Sequence, residues 1–143
     1  MDKINGSFRD PSGYVFRQNG KIVRTINDCY KRHWECALSS TLLDDLKKRE
    51  LVPSFKEIAP IDGAWKTLEV EKIPFISYPY EWSFSQLKDA ALLTLELHRM
   101  AIERGMTLKD ATAYNVQFRG SKLARKILVL LRLLQKSPAV QFT

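Results

Sequence analysis

Apolar positions along the chain switch between two periods, and the switches mark out the elements. Over residues 14–26, YVFRQNGKIVRTI, apolar residues such as Tyr14, Phe16, Ile22 and Ile26 fall at strand spacing on either side of Asn19-Gly20. That dipeptide suits a type I′ turn, so a β-hairpin is predicted. Asn27 or Asp28 then reads as a helix N-cap. From 29 to 50 the spacing turns helical through Tyr30, Trp34, Leu38, Leu42, Leu43 and Leu46. Ser39-Ser40-Thr41 divides this stretch into two short helices, with Thr41 capping the second. Residues 51–63 hold Pro53, Pro60 and Gly63 and read as a connection. AWKTLEV at 64–70 and IPFISYPY at 73–80 read as strands, the second ended by Pro79. Ser83 or Ser85 caps a long helix whose buried stripe is predicted as Leu87, Ala90, Ala91, Leu95, His98 and Ile102, with Gly105 as its stop. A loop and a short strand at 116–118 follow. The tail at 123–134, LARKILVLLRLL, reads as a helix apolar nearly all round, suited to burial or to a membrane surface.

These elements predict an α+β chain. A small antiparallel sheet with helices forms a partial kinase-like arrangement, one lobe and part of a second, with a basic-apolar helix at the C-terminus. Unpartnered strands in such a piece would expose sheet edges and favour self-association through an edge or the apolar tail. Hydrophobic residues make up 45% of the 143 residues, enough for a core, which excludes a mainly disordered chain. No run of apolar residues is long enough to span a bilayer. The first ten residues, MDKINGSFRD, lack the apolar run of a signal peptide, so a cytoplasmic location is expected. Cys29 and Cys36 are too few for a disulfide framework and are expected as free thiols on one helix face.

Charge changes the picture in one place. Residues 1–118 hold 17 Lys/Arg against 16 Asp/Glu, a balance of +1. Residues 119–143 add Arg119, Lys122, Arg125, Lys126, Arg132 and Lys136 with no acid, a balance of +6. One terminal segment therefore makes the chain basic. That disfavours a nucleic-acid surface and leaves an anionic membrane surface as a partner for the tail. The composition break divides the chain into 1–121 and a divergent 122–143.

Candidate chemistry centres on Asp110-Ala111-Thr112-Ala113-Tyr114-Asn115. An aspartate five positions before an asparagine, after a long helix and before a short strand, has the spacing of a kinase catalytic loop. There Asp110 would accept a substrate hydroxyl's proton as the catalytic residue, and Asn115 would hold the metal on the phosphates. The same two residues also suit a plain turn, Asp110 as its cap and Asn115 as a partner for loop backbone. Other parts of that machinery do not stand out. The hairpin has no G-x-G-x-x-G. Lys21 and Lys66 are strand lysines that read as solvated, and no acid follows Asp110 to supply a second metal ligand. His33 and His98 read as structural, and with the two cysteines they lack the spacing of a zinc site. Tyr78, Tyr80 and Trp82 read as closing a sheet edge and capping the core, with a pocket wall as the sharper alternative. No P-loop or dinucleotide fingerprint is present.

Two stretches, GSFRDPSGYVF at 6–16 and KIPFISYPYEWSFSQLKDAALLTLELHRMAIERGMTLKDATAYNVQF at 72–118, resemble the N-terminal region of bacterial class I SAM-dependent methyltransferase family proteins, including nodulation proteins of the NoeA type. The resemblance covers about residues 6–120. It implies a methyltransferase-associated protein whose S-adenosylmethionine domain lies further along the family's polypeptide, so no cofactor is expected in this chain. Asp110 and Asn115 match the family's loop and inherit its role. The family continues past this loop into an Asp-containing motif, whereas this chain departs from it near Lys122. One allowed back-translation of Lys126–Leu133, read from its third base, gives Asp-Phe-Gly-Thr-Phe-Glu-Thr, which points to a shifted reading frame in the tail. Three functions follow as expectations. One is a truncated, non-catalytic member of that family. Another is a kinase-like phosphotransferase or nucleotide binder using Asp110 and Asn115 with ATP and Mg. The last is a binding module whose basic tail meets anionic surfaces.

Overall fold

The computed structural model describes residues 2–3, 10–119, 124–127 and 134–136. Strands β1 (Asp2–Lys3), β2 (Val15–Gln18), β3 (Lys21–Ile26), β4 (Phe55–Ile58) and β5 (Lys66–Val70) form one sheet in the order β1-β2-β3-β5-β4, antiparallel throughout. The predicted hairpin is present as β2–β3. Gln18 faces Lys21, and Asn19 and Gly20 both take positive φ (51° and 76°), as a type I′ turn requires. Helices α1 (Lys31–Ser39) and α2 (Leu42–Lys48) follow β3, and the division at Ser39–Thr41 lies where the sequence places it. Thr41 occupies the N-cap position of α2. Its side chain makes no capping bond, and its backbone sits in the left-handed region at φ 63°.

Helix α3 (Phe84–Ile102) begins at Ser83, whose hydroxyl accepts the Gln86 N–H at 3.3 Å while Gln86 Oε1 accepts the Ser83 N–H at 2.9 Å. This reciprocal pair satisfies donors that the first turn would otherwise leave open. Beyond Gly105 come β6 (Met106–Leu108), a loop, and β7 (Val116–Arg119). β7 pairs with β8 (Ala124–Ile127), and β6 pairs with β9 (Leu134–Lys136), both antiparallel. One hydrophobic core joins these parts: Ile26 and Leu68 from the sheet, Trp34, Leu42, Leu43 and Leu46 from α1 and α2, and Leu93, Leu97 and Met100 from α3.

Four expectations are corrected here. The connection at 51–63 contains β4, an edge strand between Pro53 and Pro60. Such a strand needs pairing on one side only, so flanking prolines do not exclude it, and Lys56 and Glu57 pair with Glu69 and Lys66 of β5. The stretch 73–80 is not a strand. It is an irregular connector that ends in a short turn at Pro79–Glu81. The buried side of α3 is Ala90, Leu93, Leu97, Met100 and Ala101, whereas the predicted Leu87, Leu95 and Ile102 are 41%, 64% and 59% exposed. α3 carries apolar residues on two sides, so periodicity alone does not select the inner one. In the tail, 124–127 and 134–136 are strands, not the predicted basic-apolar helix, because β6 and β7 offer them open edges. A short apolar run fits a strand as well as a helix. The rest of that helix prediction lies outside the described residues.

The connector is fixed by side chains where ladder bonds are absent. The buried Gln117 of β7 accepts the Ser77 N–H at 3.0 Å and donates to the Ser77 carbonyl at 2.9 Å. Trp82 donates its indole N–H to Ser77 Oγ at 2.9 Å and meets Phe118 edge to face. At the other end of the sheet, the turn at 10–13 lies against the end of β3. Asn27 N–H donates to the Ser12 carbonyl at 2.8 Å, and Tyr14 N–H donates to Thr25 Oγ1 at 2.8 Å. A Cβ on Gly13 would stand 1.9 Å from the Thr25 carbonyl oxygen, a backbone atom that cannot yield without opening β3. Gly13→Ala is therefore expected to lower stability by at least about 2 kcal/mol, read as a shifted denaturant midpoint. A midpoint within error of the parent would show that this approach is not tight.

Candidate functional site

The Asp110 loop is built on local bonds. β6 delivers the chain to Asp110, whose Oδ1 accepts the Thr112 N–H at 3.0 Å. Asn115 N–H donates to the Thr112 carbonyl at 3.1 Å and closes a short helical turn at 113–115. The Asn115 side chain is buried, and its Nδ2 donates to the Asp110 carbonyl at 3.4 Å. The structure thus brings Asp110 and Asn115 together, with side-chain bonds from both directed back into the loop. The cavity beneath them, walled by Leu97, Leu108 and Asn115, measures about 10 Å³, room for one water at most.

A cluster that the sequence reading did not single out lies behind this loop. Asp10 is buried; its Oδ2 accepts Arg24 Nη2 at 3.3 Å, and its Oδ1 accepts the Ser12 N–H at 3.0 Å. Both side chains of that ion pair are 6% exposed. Lys109, the residue before Asp110, reaches back to Asp10 Oδ1 at 3.5 Å and donates to Ser12 Oγ at 3.1 Å. Burial by itself pushes the Asp10 carboxyl up. The bonds from Ser12 and the charges of Arg24 and Lys109 outweigh it, so the net shift is downward. Burial also pushes the neighbouring Tyr30 phenol up, with Arg24 opposing and Asp10 adding. His33 is held below its ordinary value by partial burial and by the charges of Lys109 and Arg32. The signal for this cluster was the Asp-Pro-Ser-Gly turn at 10–13, whose Asp and Ser are turn formers.

The other candidate residues are placed elsewhere. Lys21 pairs with Glu69 at 2.9 Å and Lys66 with Glu57 at 2.6 Å, both across neighbouring strands. The bonds from Lys21 and Lys56 hold the Glu69 carboxyl below its usual range. A groove of about 540 Å³ passes Lys21, Lys56, Glu69 and Lys72, and a second of about 340 Å³ passes Lys47, Phe55, Glu71 and Arg119. Neither includes Asp110 or Asn115. His98 lies 3.4 Å from Thr107 Oγ1. Cys29 and Cys36 are free, but Cys29 stands in the turn ahead of α1 and so does not share a helix with Cys36. Tyr78 and Tyr80 stand out from the surface, whereas Trp82 is buried in the core. Among the described residues no group of three or more His, Cys, Asp or Glu could hold a metal ion. No helix among them is long and apolar enough to cross a membrane.

The Asp10 carboxylate has a lowered folded value, so its stabilisation is present above the ordinary carboxyl range and is lost as pH falls through the folded value. Asp10→Asn removes the charge that Arg24 is buried against. It is expected to cost about 3 kcal/mol near neutral pH and to flatten the fall in melting temperature below about pH 4. Melting curves across pH 2–7 check this. An unchanged acid limb in the variant would assign the acid response to other carboxylates.

No protein-family model matches the chain. It is similar to Nodulation protein NoeA of Rhizobium meliloti (strain 1021), 38% identical over 126 residues, which is 84% of this chain and 26% of that protein. The chain thus spans about a quarter of the length of that relative. The similarity extends well beyond the two stretches at 6–16 and 72–118, and this chain is related to NoeA-type proteins.

Proposed function

We propose that this chain is a non-methyl-transferring part of a NoeA-type protein of the SAM-dependent methyltransferase family, with the methyl donor bound by polypeptide that the chain does not span. The observation that carries this reading is the direction of the ladders. Every described strand pairing is antiparallel. A class I donor domain is a parallel, doubly wound sheet that holds its ligand at the carboxyl ends of the strands, beside a glycine-rich first turn. The described residues do not fit S-adenosylmethionine. Gly13, Gly20, Gly63 and Gly105 stand in separate turns, and none opens a helix after a strand. The relation to NoeA over 26% of that protein's length supports assigning the donor site to the remainder. Calorimetric titration with S-adenosylmethionine is expected to give no saturable heat. Saturable binding in the micromolar range, or methyl transfer by this chain alone, would overturn the reading.

A second reading, nucleotide binding in a kinase-like arrangement, is favoured by one observation. Asp110 and Asn115 come together in a single loop, between the α3–β6 unit and the β7–β8 hairpin. The loop does not fit magnesium well. Asp110 Oδ1 is taken by Thr112, and Asn115 turns its amide nitrogen to the Asp110 carbonyl, so no phosphoryl-transfer step is derived through it. A thermal-shift comparison with ATP and Mg separates the readings. The first expects no rise in melting temperature; a concentration-dependent rise that Asp110→Ala abolishes would establish the second.

A further inference from the structure

Ahead of α3 the chain holds a group of aromatic rings that the core does not use. Tyr78 and Tyr80 lie nearly parallel, ring centres 5.5 Å apart and planes 6° apart. They are 43% and 76% exposed. Tyr114, 60% exposed, comes from the Asp110 loop, three residues before Gln117, whose side-chain amide is bonded to Ser77 next to Tyr78. Two segments distant in sequence, fastened together at Ser77 and Gln117, thus carry three exposed phenol rings. Exposing that much aromatic area forgoes burial worth on the order of 2 kcal/mol per ring.

The backbone under the rings is fixed. Pro79 sets the turn, Tyr78 N–H donates to Glu81 Oε2 at 2.8 Å, and Glu81 N–H donates to the Tyr78 carbonyl at 2.9 Å. A surface ordered before binding spares a ligand the cost of ordering it. Residues 73–83 and 110–115 carry Glu81 and Asp110 and no Lys or Arg. Lys109, just outside, is engaged by Asp10 and Ser12. Ring faces are electron-rich, so with the Glu81 carboxylate in the same turn the rings attract flat cations.

We infer that Tyr78, Tyr80 and Tyr114, with Glu81 beside them, form a binding site for an arginine side chain on a partner protein. A guanidinium lies flat on a phenol ring and presents its N–H groups at its edge, where a carboxylate accepts them. A lysine ammonium makes the first contact less completely. The inference does not depend on which reading of the Asp110 loop holds.

Fluorescence anisotropy tests it with a labelled Gly-Arg repeat peptide, the same peptide with citrulline for arginine, and an oligothymidylate. The arginine peptide is expected to bind saturably and at least about tenfold more tightly than the citrulline peptide. Tyr80→Ala and Tyr114→Ala should each weaken it by about tenfold, and Tyr80→Phe by less than about twofold, since the ring face and not the hydroxyl makes the contact. Circular-dichroism melts of the variants should match the parent, because these rings stand outside the core. No saturable binding, equal affinity for citrulline, indifference to both alanine variants, or tighter binding of the oligothymidylate would each overturn the inference.

Discussion

The buried pair of Asp10 and Arg24 is the constraint on which the arrangement turns. Arg24 lies in β3, the strand that pairs with β2 on one side and β5 on the other. A charged residue there is tolerated only against a counter-charge, since an unpaired buried cation costs several kcal/mol. The counter-charge comes from the turn at 10–13, so this turn must stay pressed on the end of β3, and Gly13 makes that approach sterically feasible. Lys109 then uses the same carboxylate and Ser12 Oγ as its anchor. One carboxylate thus fixes the sheet, the turn before it and the start of the Asp110 loop in a common frame. Such an ion pair contributes specificity more than net stability, because desolvation offsets much of its Coulomb energy.

A second fastening holds the opposite end of the same loop. Gln117 follows Asn115 by two positions and clasps Ser77 through both its amide groups. That side chain does what a ladder partner would do, which explains why the connector at 73–80 stays ordered without strand pairing. Its apolar and β-prone residues made it read as a strand, but Pro74 and Pro79 remove two backbone donors. A substitute pairing by a side chain has no periodic signature, so the sequence offered nothing from which to expect it.

Local signals explain most of what was legible. Asn19-Gly20, Ser83 as one of the two caps offered for α3, and Gly105 each act within a few residues, and each is found in that role. What was missed depends on distant partners. β4 exists because β5 offers it an edge, and β6 because residues 134–136 reach it. The buried side of α3 is chosen by what lies beneath the helix, since both sides carry enough leucine to be buried. The tail fails for the same reason. Lys-Ile-Leu-Val-Leu-Leu is apolar enough for either period, and two open strand edges decide for the strand at 124–127 and 134–136.

The Asp110 loop shows how far spacing can carry a functional argument. An aspartate five residues before an asparagine is what a catalytic loop needs, but it is also what a compact turn needs. Asp110 can accept an N–H two residues on, and a buried Asn115 can reach the Asp110 carbonyl across one helical turn. Both demands select the same residue types at the same separation, so the motif alone cannot distinguish them. Surroundings can. Chemistry would require further acids turned toward the loop, and Asp10, the acid that Lys109 reaches from the start of this loop, faces Arg24, Ser12 and Lys109 instead. The electrostatic work of this region is thus directed at holding the loop, while the exposed side that the loop presents is aromatic, through Tyr114. The loop is thus fastened from behind by Lys109 and Gln117 and leaves Tyr114 open to solvent in front.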